Sequence, residues 1–205
     1  SVIGSGIMGS RIACHFANIG VKVLLLDICP RELTDQEKRK NLKVNDPEVK
    51  NRIVKESFLN TLKTKPTSLY LDKNKTNISL GNLEDDINKI KESDWIIEVV
   101  VEKIEIKNKV FELVEKHRKK GTLITSNTSG IPVKEMVKGR EKDFVHNFCV
   151  THFFNPPRYM KLVEIICSDN TDREYVSFID KFLQEVLGKG VVHAKDTPNF
   201  IANRI

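Results

Sequence analysis

Ser1-Val2-Ile3-Gly4-Ser5-Gly6-Ile7-Met8-Gly9 opens the chain and decides how the rest is read. A short apolar run feeds a G-x-G-x-x-G loop, and residues 7–19 then carry apolar side chains at helical spacing: a strand, a tight turn and a helix. Gly4 would permit the turn, Gly6 would let the backbone approach a diphosphate, and Gly9 would let the helix pack on the strand. Free N–H groups at the helix start, those of Ile7 and Met8 included, would meet the diphosphate at the positive end of the helix dipole.

The next apolar run, residues 21–26, ends on Asp27. A carboxylate there can accept both ribose hydroxyls of an adenosine and repels a 2′-phosphate, which favours NAD over NADP. A glycine-rich turn with Asp27 as a mere helix cap is the plainer alternative; the loop and the strand-end acid together favour a dinucleotide site.

The chain has 205 residues, 40% hydrophobic and 30% charged, enough for one large domain with a real core. No apolar run approaches the roughly 18–20 residues of a membrane span. Ser1 falls inside a strand that should begin earlier, and Phe200-Ile201-Ala202-Asn203-Arg204-Ile205 has helical composition with no stop signal, so a piece of a longer protein is expected. Cys14, Cys29, Cys149 and Cys167 are far apart in sequence and show no metal spacing. Reduced thiols in a cytoplasmic protein, and no metal site, are expected. Most of the net charge of +6 lies in residues 28–76, without aromatic interleaving suited to base stacking, which argues against nucleic acid as a partner.

That basic stretch forms a long connection with one helix expected over 31–42 and another begun by Asp46-Pro47-Glu48. Its basic face is either a contact for a polyanionic substrate or a solvated surface. Residues 77–81 read as a strand and 83–91 as a helix. Trp95-Ile96-Ile97-Glu98-Val99-Val100-Val101 reads as a central parallel strand, with Glu102 and Lys107 following at its carboxyl end, where open α/β sheets bind ligands. His117 falls at the edge of a helical stripe. Residues 121–125 form the next strand and close on Ser126-Asn127-Thr128-Ser129, whose polar groups suit a ribose or a substrate oxygen.

Residues 147–154 form a strand carrying His152, and the strand 162–167 carries Glu164 among Leu, Val and Ile. An acid inside an apolar strand is costly unless paired. A hairpin-like return would bring Glu164 to His152, orienting the ring and leaving its other nitrogen as a base. A helix over 172–187, a strand over 191–194 and a new helix from Pro198 complete the reading. His15, His146 and His193 have no evident partner.

Gly4-Ser5-Gly6-Ile7-Met8-Gly9, Asp27, Glu98-Val99-Val100-Val101-Glu102, Ser126-Asn127-Thr128-Ser129, His152-Phe153-Phe154-Asn155-Pro156, Met160-Lys161-Leu162-Val163-Glu164 and Lys195-Asp196-Thr197-Pro198-Asn199-Phe200 occur in order. Together they resemble the NAD-binding domain of L-3-hydroxyacyl-CoA dehydrogenase, most of all its longer bacterial fatty-acid β-oxidation members. The resemblance implies a Rossmann-type, doubly wound, mostly parallel α/β sheet over residues 1–196, with a helical insertion at about 28–76. Residues 197–205 would begin a C-terminal helical domain.

The resemblance also implies roles. His152 takes the proton of the 3-hydroxyl as hydride leaves for NAD, and Glu164 stabilises the imidazolium. Ser129 and Asn155 bond substrate oxygens, Asn203 lines the pocket, and Glu102, Lys107 and Ser129 touch the cofactor. Acyl-CoA is the expected substrate, with coenzyme A running along the insertion, and a homodimer forms through the C-terminal domain. Without that domain the chain is expected to bind NAD and turn over little. The competing readings are a catalytically silent NAD- or acyl-CoA-binding module and a related hydroxy-acid dehydrogenase.

Overall fold

The computed structural model describes residues 1–204. The first apolar run forms β1 (Val2–Ile3), the glycine loop leads into α1 (Ile7–Asn18), and β2 (Val23–Asp27) follows. The long basic connection holds α2 (Asp35–Arg39), α3 (Pro47–Lys50), α4 (Arg52–Lys63) and a 3₁₀ segment (Asp72–Asn77). Then come β3 (Ile78–Asn82), β4 (Trp95–Glu98), α5 (Ile104–His117) and β5 (Leu123–Ser126). The remainder is α6 (Val133–Met136), α7 (Lys142–His146), β6 (Phe148–Phe153), β7 (Leu162–Cys167), α8 (Arg173–Lys181) and β8 (Gly190–Ala194).

The strands form one sheet in the order β3-β2-β1-β4-β5-β6-β7-β8. From β3 to β6 every pairing is parallel, the doubly wound order of a dinucleotide fold. β7 then runs antiparallel to β6, and β8 lies parallel to β7. Both faces of the central strands are covered, which is why they read as continuous apolar runs. Val2 points into one core with Ile12, Ala13, Phe16 and Ala17 of α1, and Ile3 into the other with Val110, Phe111 and Val114 of α5. Phe16 meets Trp95 edge-on at 5.4 Å, and Phe111 meets Phe148 edge-on at 5.4 Å. No helix among the described residues is long and apolar enough to cross a membrane.

The expected helices fare unevenly. The one over 31–42 shrinks to α2, started by a Thr34–Glu37 capping box and stopped by Asn41 at φ 55°. Asp46 does not cap α3 with its side chain; it accepts from the Lys43 N–H at 2.7 Å instead, and the helix breaks at Asn51 into α3 and α4. The helix over 83–91 reduces to a 3₁₀ segment (Ile87–Glu92). Asn82 Oδ1 takes the N–H groups of Glu84 (3.0 Å) and Asp85 (2.8 Å), which holds a turn where the helix was expected. α8 ends at Lys181, and residues 182–186 wind as a π-helical turn. Pro198 starts no α-helix: Asn199 (φ 64°) and Phe200 (φ 48°) are left-handed, followed by a 3₁₀ turn (Ala202–Arg204).

Candidate functional site

The carboxyl ends of β1, β2, β4, β5 and β6 converge on one crevice. At β1, a Cβ on Gly9 would lie 1.7 Å from the Gly4 carbonyl oxygen, and one on Gly4 (φ 101°) would lie 2.5 Å from that of Val99. These two glycines let strand, helix and the β4 end touch. Among the described residues, a Cβ on Gly6 would meet nothing within 4 Å, which leaves the space over Gly6 open. The first helical bond of α1 runs from Ser10 N–H to Gly6 C=O at 3.0 Å, and no acid occupies the first turn. The N–H groups of Ile7 and Met8 precede that bond and face no competing negative charge on their own helix. Asp27 stands beside the loop: its Oδ2 accepts from the Ser5 N–H (2.6 Å) and hydroxyl (2.5 Å), its Oδ1 from the Ile28 N–H (2.7 Å). An open cradle, a free helix start and a strand-end carboxylate fit a dinucleotide whose adenosine ribose is unphosphorylated.

At β4, Glu98 is fully buried and holds three groups through four hydrogen bonds. Lys107 Nζ lies 2.8 and 3.0 Å from its two oxygens, the Ser126 hydroxyl donates at 2.5 Å and the Val100 N–H at 2.6 Å. Lys107, expected at the cofactor, is buried in this ion pair and reaches the crevice through Glu102, 3.5 Å away. Glu102 accepts from the Thr128 hydroxyl and from the N–H groups of Ser129 (3.0 Å) and Gly130 (3.1 Å). Burial works against ionisation of Glu102, but the Thr128 hydroxyl, Lys107 and the two backbone N–H groups hold its carboxyl below the usual range. The turn after β5 is thus clamped from β4. Sequence reasoning left Glu98 without a role, although the signal that found Glu164, an acid within an apolar run, was present.

Across β6 and β7, His152 and Glu164 are directly opposed, and Nδ1 lies 2.7 Å from Oε2. Both are buried. The carboxylate fixes the proton on Nδ1, so Nε2 carries the lone pair of a base. Phe154 (4.4 Å between centroids) and Phe200 (6.0 Å) flank the ring. Glu164 Oε1 also accepts from the N–H groups of Ile201 (3.0 Å) and Ala202 (2.9 Å), which draws residues 197–204 onto the site.

The remaining expected residues are tied into neighbouring elements by contacts of their own. The Ser129 carbonyl accepts from Asn203 Nδ2 at 2.9 Å, and Asn127 Oδ1 accepts from the Phe153 N–H at 2.8 Å, tying the β5 turn to the His152 strand. Asn155 Oδ1 accepts from Arg11 of α1. The 155–161 loop has anchors that the sequence did not reveal. Buried Lys189 donates to the carbonyls of Pro157 and Met160 (2.9 Å), and burial pushes its ammonium down to about 8. Arg158 donates to the carbonyls of Thr67 (2.7 Å) and Leu69 (3.0 Å) and packs on the rings of Tyr70 and Tyr159. These anchors tie the loop to β8 and to the insertion's exit.

Residues 1–197 match the family described as 3-hydroxyacyl-CoA dehydrogenase, NAD binding domain. The chain is 56% identical over its whole length to a Bacillus subtilis protein named "Probable 3-hydroxyacyl-CoA dehydrogenase", of which it spans 26%. It is 31% identical, again end to end, to human mitochondrial hydroxyacyl-coenzyme A dehydrogenase, of which it spans 61%. Among solved structures, it superposes on 3-hydroxybutyryl-CoA dehydrogenase from Escherichia coli with a TM-score of 0.72, at 28% identity, covering 100% of this chain and 40% of that one.

Proposed function

The chain belongs to the 3-hydroxyacyl-CoA dehydrogenase family as its NAD-binding domain, and from that premise we propose that the whole protein interconverts L-3-hydroxyacyl-CoA and 3-oxoacyl-CoA. The observation that carries this reading is the buried His152–Glu164 pair, held on the same sheet as the glycine loop. NAD, when bound, accepts or returns the hydride at carbon 3. Gly4, Gly6, Ile7, Met8 and Gly9 would hold its diphosphate, Asp27 a ribose, and Glu102 the part nearer the β5 turn, with Lys107 setting the charge on Glu102.

His152 Nε2 would take the proton of the 3-hydroxyl in oxidation and return it in reduction. Glu164 keeps the ring oriented and neutralises the imidazolium formed when Nε2 is protonated. The Ser129 hydroxyl and the Asn155 amide would bond substrate oxygens, and Asn203, held to the Ser129 carbonyl, would line the same wall. Coenzyme A would run over the basic insertion. The relatives are longer than this chain, and further helices would complete the acyl pocket and a homodimer.

Full-length protein should oxidise NADH with acetoacetyl-CoA and not with free acetoacetate. His152→Gln should abolish that turnover with NADH binding by calorimetry retained. Near-normal turnover by the variant would overturn the assignment.

A further inference from the structure

Arg11 lies on α1 two residues past Gly9, half-buried, and its guanidinium donates to the side-chain oxygen of Asn155. We propose that Arg11 is a positioning residue that turns the Asn155 amide so that its NH₂ faces the substrate, making Asn155 a donor to a substrate oxygen. The inference rests on the dehydrogenase reading and deepens it.

A guanidinium has five donors and no acceptor, so the end of the amide that meets it must be the oxygen. Nδ2 is then directed away from α1, and among the described residues it donates to no protein acceptor. Asn155 is the next residue after Phe154, whose ring packs on His152 with centroids 4.4 Å apart, which keeps its backbone close to the base. The loop backbone is already fixed, by Lys189 on Pro157 and Met160 and by Arg158 on Thr67 and Leu69. What remains free is rotation of the amide itself, and two chemically opposite orientations have nearly the same shape. Arg11 removes that ambiguity. Its charge also polarises the amide and strengthens the N–H donors on the far side.

The test is a double-mutant cycle in the full-length protein: Arg11→Ala, Asn155→Ala and the pair, read as kcat/KM for acetoacetyl-CoA, NADH affinity and thermal midpoint. Arg11→Ala should lower kcat/KM about ten- to a hundredfold, the worth of a hydrogen bond to a charged group. NADH affinity should hold, Arg11→Lys should restore part of the loss, and Arg11→Ala should cost nothing further in the Asn155→Ala background. Asn155→Asp keeps the Arg11 contact but presents oxygens on both sides, so it should fold as the wild type and lose as much turnover as Asn155→Ala. Equal cost of Arg11→Ala in both backgrounds, a parallel loss of NADH affinity, or an active Asn155→Asp would each overturn the proposal. The thermal-midpoint cycle reads the contact without turnover: a wild type that oxidises no NADH would sink the dehydrogenase reading alone, whereas additive midpoints would sink the contact itself.

Discussion

His152 Nδ1 and Glu164 Oε2 lie 2.7 Å apart because the two residues are directly opposed across the β6–β7 pair, which is antiparallel in an otherwise parallel sheet. Opposed residues in such a pair put their side chains on the same face within reach of each other. Register, a property of the sheet, therefore sets the geometry of the base. Glu164 accepts three hydrogen bonds, one from the ring and two from the backbone of Ile201 and Ala202.

Glu164→Gln keeps the shape and removes the charge. An amide has one acceptor end, so it must give up either His152 or the two backbone N–H groups. Turnover of the full-length protein should fall about 10²- to 10³-fold, within the usual worth of positioned acid–base catalysis, with NADH affinity unchanged. Steady-state rates with acetoacetyl-CoA and calorimetry with NADH decide it; a wild-type kcat would show that His152 works without its partner.

The parts of the fold that follow from local pattern were legible in the chain: the glycine loop, the apolar central strands, and the acid at position 164 that an apolar strand could not hold alone. The losses came where polar side chains close their own turns or where distant residues intervene. Asn82 captures two N–H groups and prevents a helix over 83–91, a competition that composition does not reveal. Pro198 looks like a helix start, but Glu164 and the buried Phe200 pin the chain to the site in a left-handed turn. The ion pair of Lys107 with Glu98 was not legible, because the two residues belong to different elements and only the fold brings them together. Arg11, Arg158 and Lys189 were invisible for the same reason.

The loop glycines should separate by what their hydrogens face. Gly9→Ala drives a methyl into the Gly4 carbonyl and should destabilise the protein by about 3 kcal/mol or more in denaturant unfolding. Gly6→Ala meets open space at φ −54° and should change stability by less than about 1 kcal/mol. Its NADH affinity should nevertheless collapse, because the methyl would fill the place proposed for the diphosphate. A Gly6→Ala protein that binds NADH normally would remove the loop from the cofactor site.

Glu98→Gln leaves the buried Lys107 ammonium with Glu102, 3.5 Å away, as its remaining charged partner. Breaking one side of a buried ion pair should cost about 3–5 kcal/mol by denaturant titration, and replacing both partners in Glu98→Gln/Lys107→Met should recover much of it. The turn that carries Ser129 should loosen with it, since Ser126 loses its charged acceptor. A double variant as unstable as Glu98→Gln would mean that the carboxylate acts through Ser126 and Val100 alone.

His15 predicts how the fold responds to acid. Among the described residues, neither buried ring nitrogen has a hydrogen-bond partner. Burial first, then the charges of Lys189 and Arg158, push the ring from 6.5 down to about 3. The native state therefore holds His15 neutral, while the unfolded chain protonates it below the ordinary value. Stability contributed at this position is complete above about pH 6.5 and falls as the pH drops toward 3, by about 2 kcal/mol at pH 5. His15→Leu should lose less thermal stability than the wild type between pH 7 and pH 5 and should be no less stable at pH 7, since it removes two unpartnered nitrogens. The measurement is the thermal midpoint of both proteins across that range. Parallel declines would show that His15 does not carry the acid sensitivity and that Lys189 and Arg158 face it less closely than the packing implies.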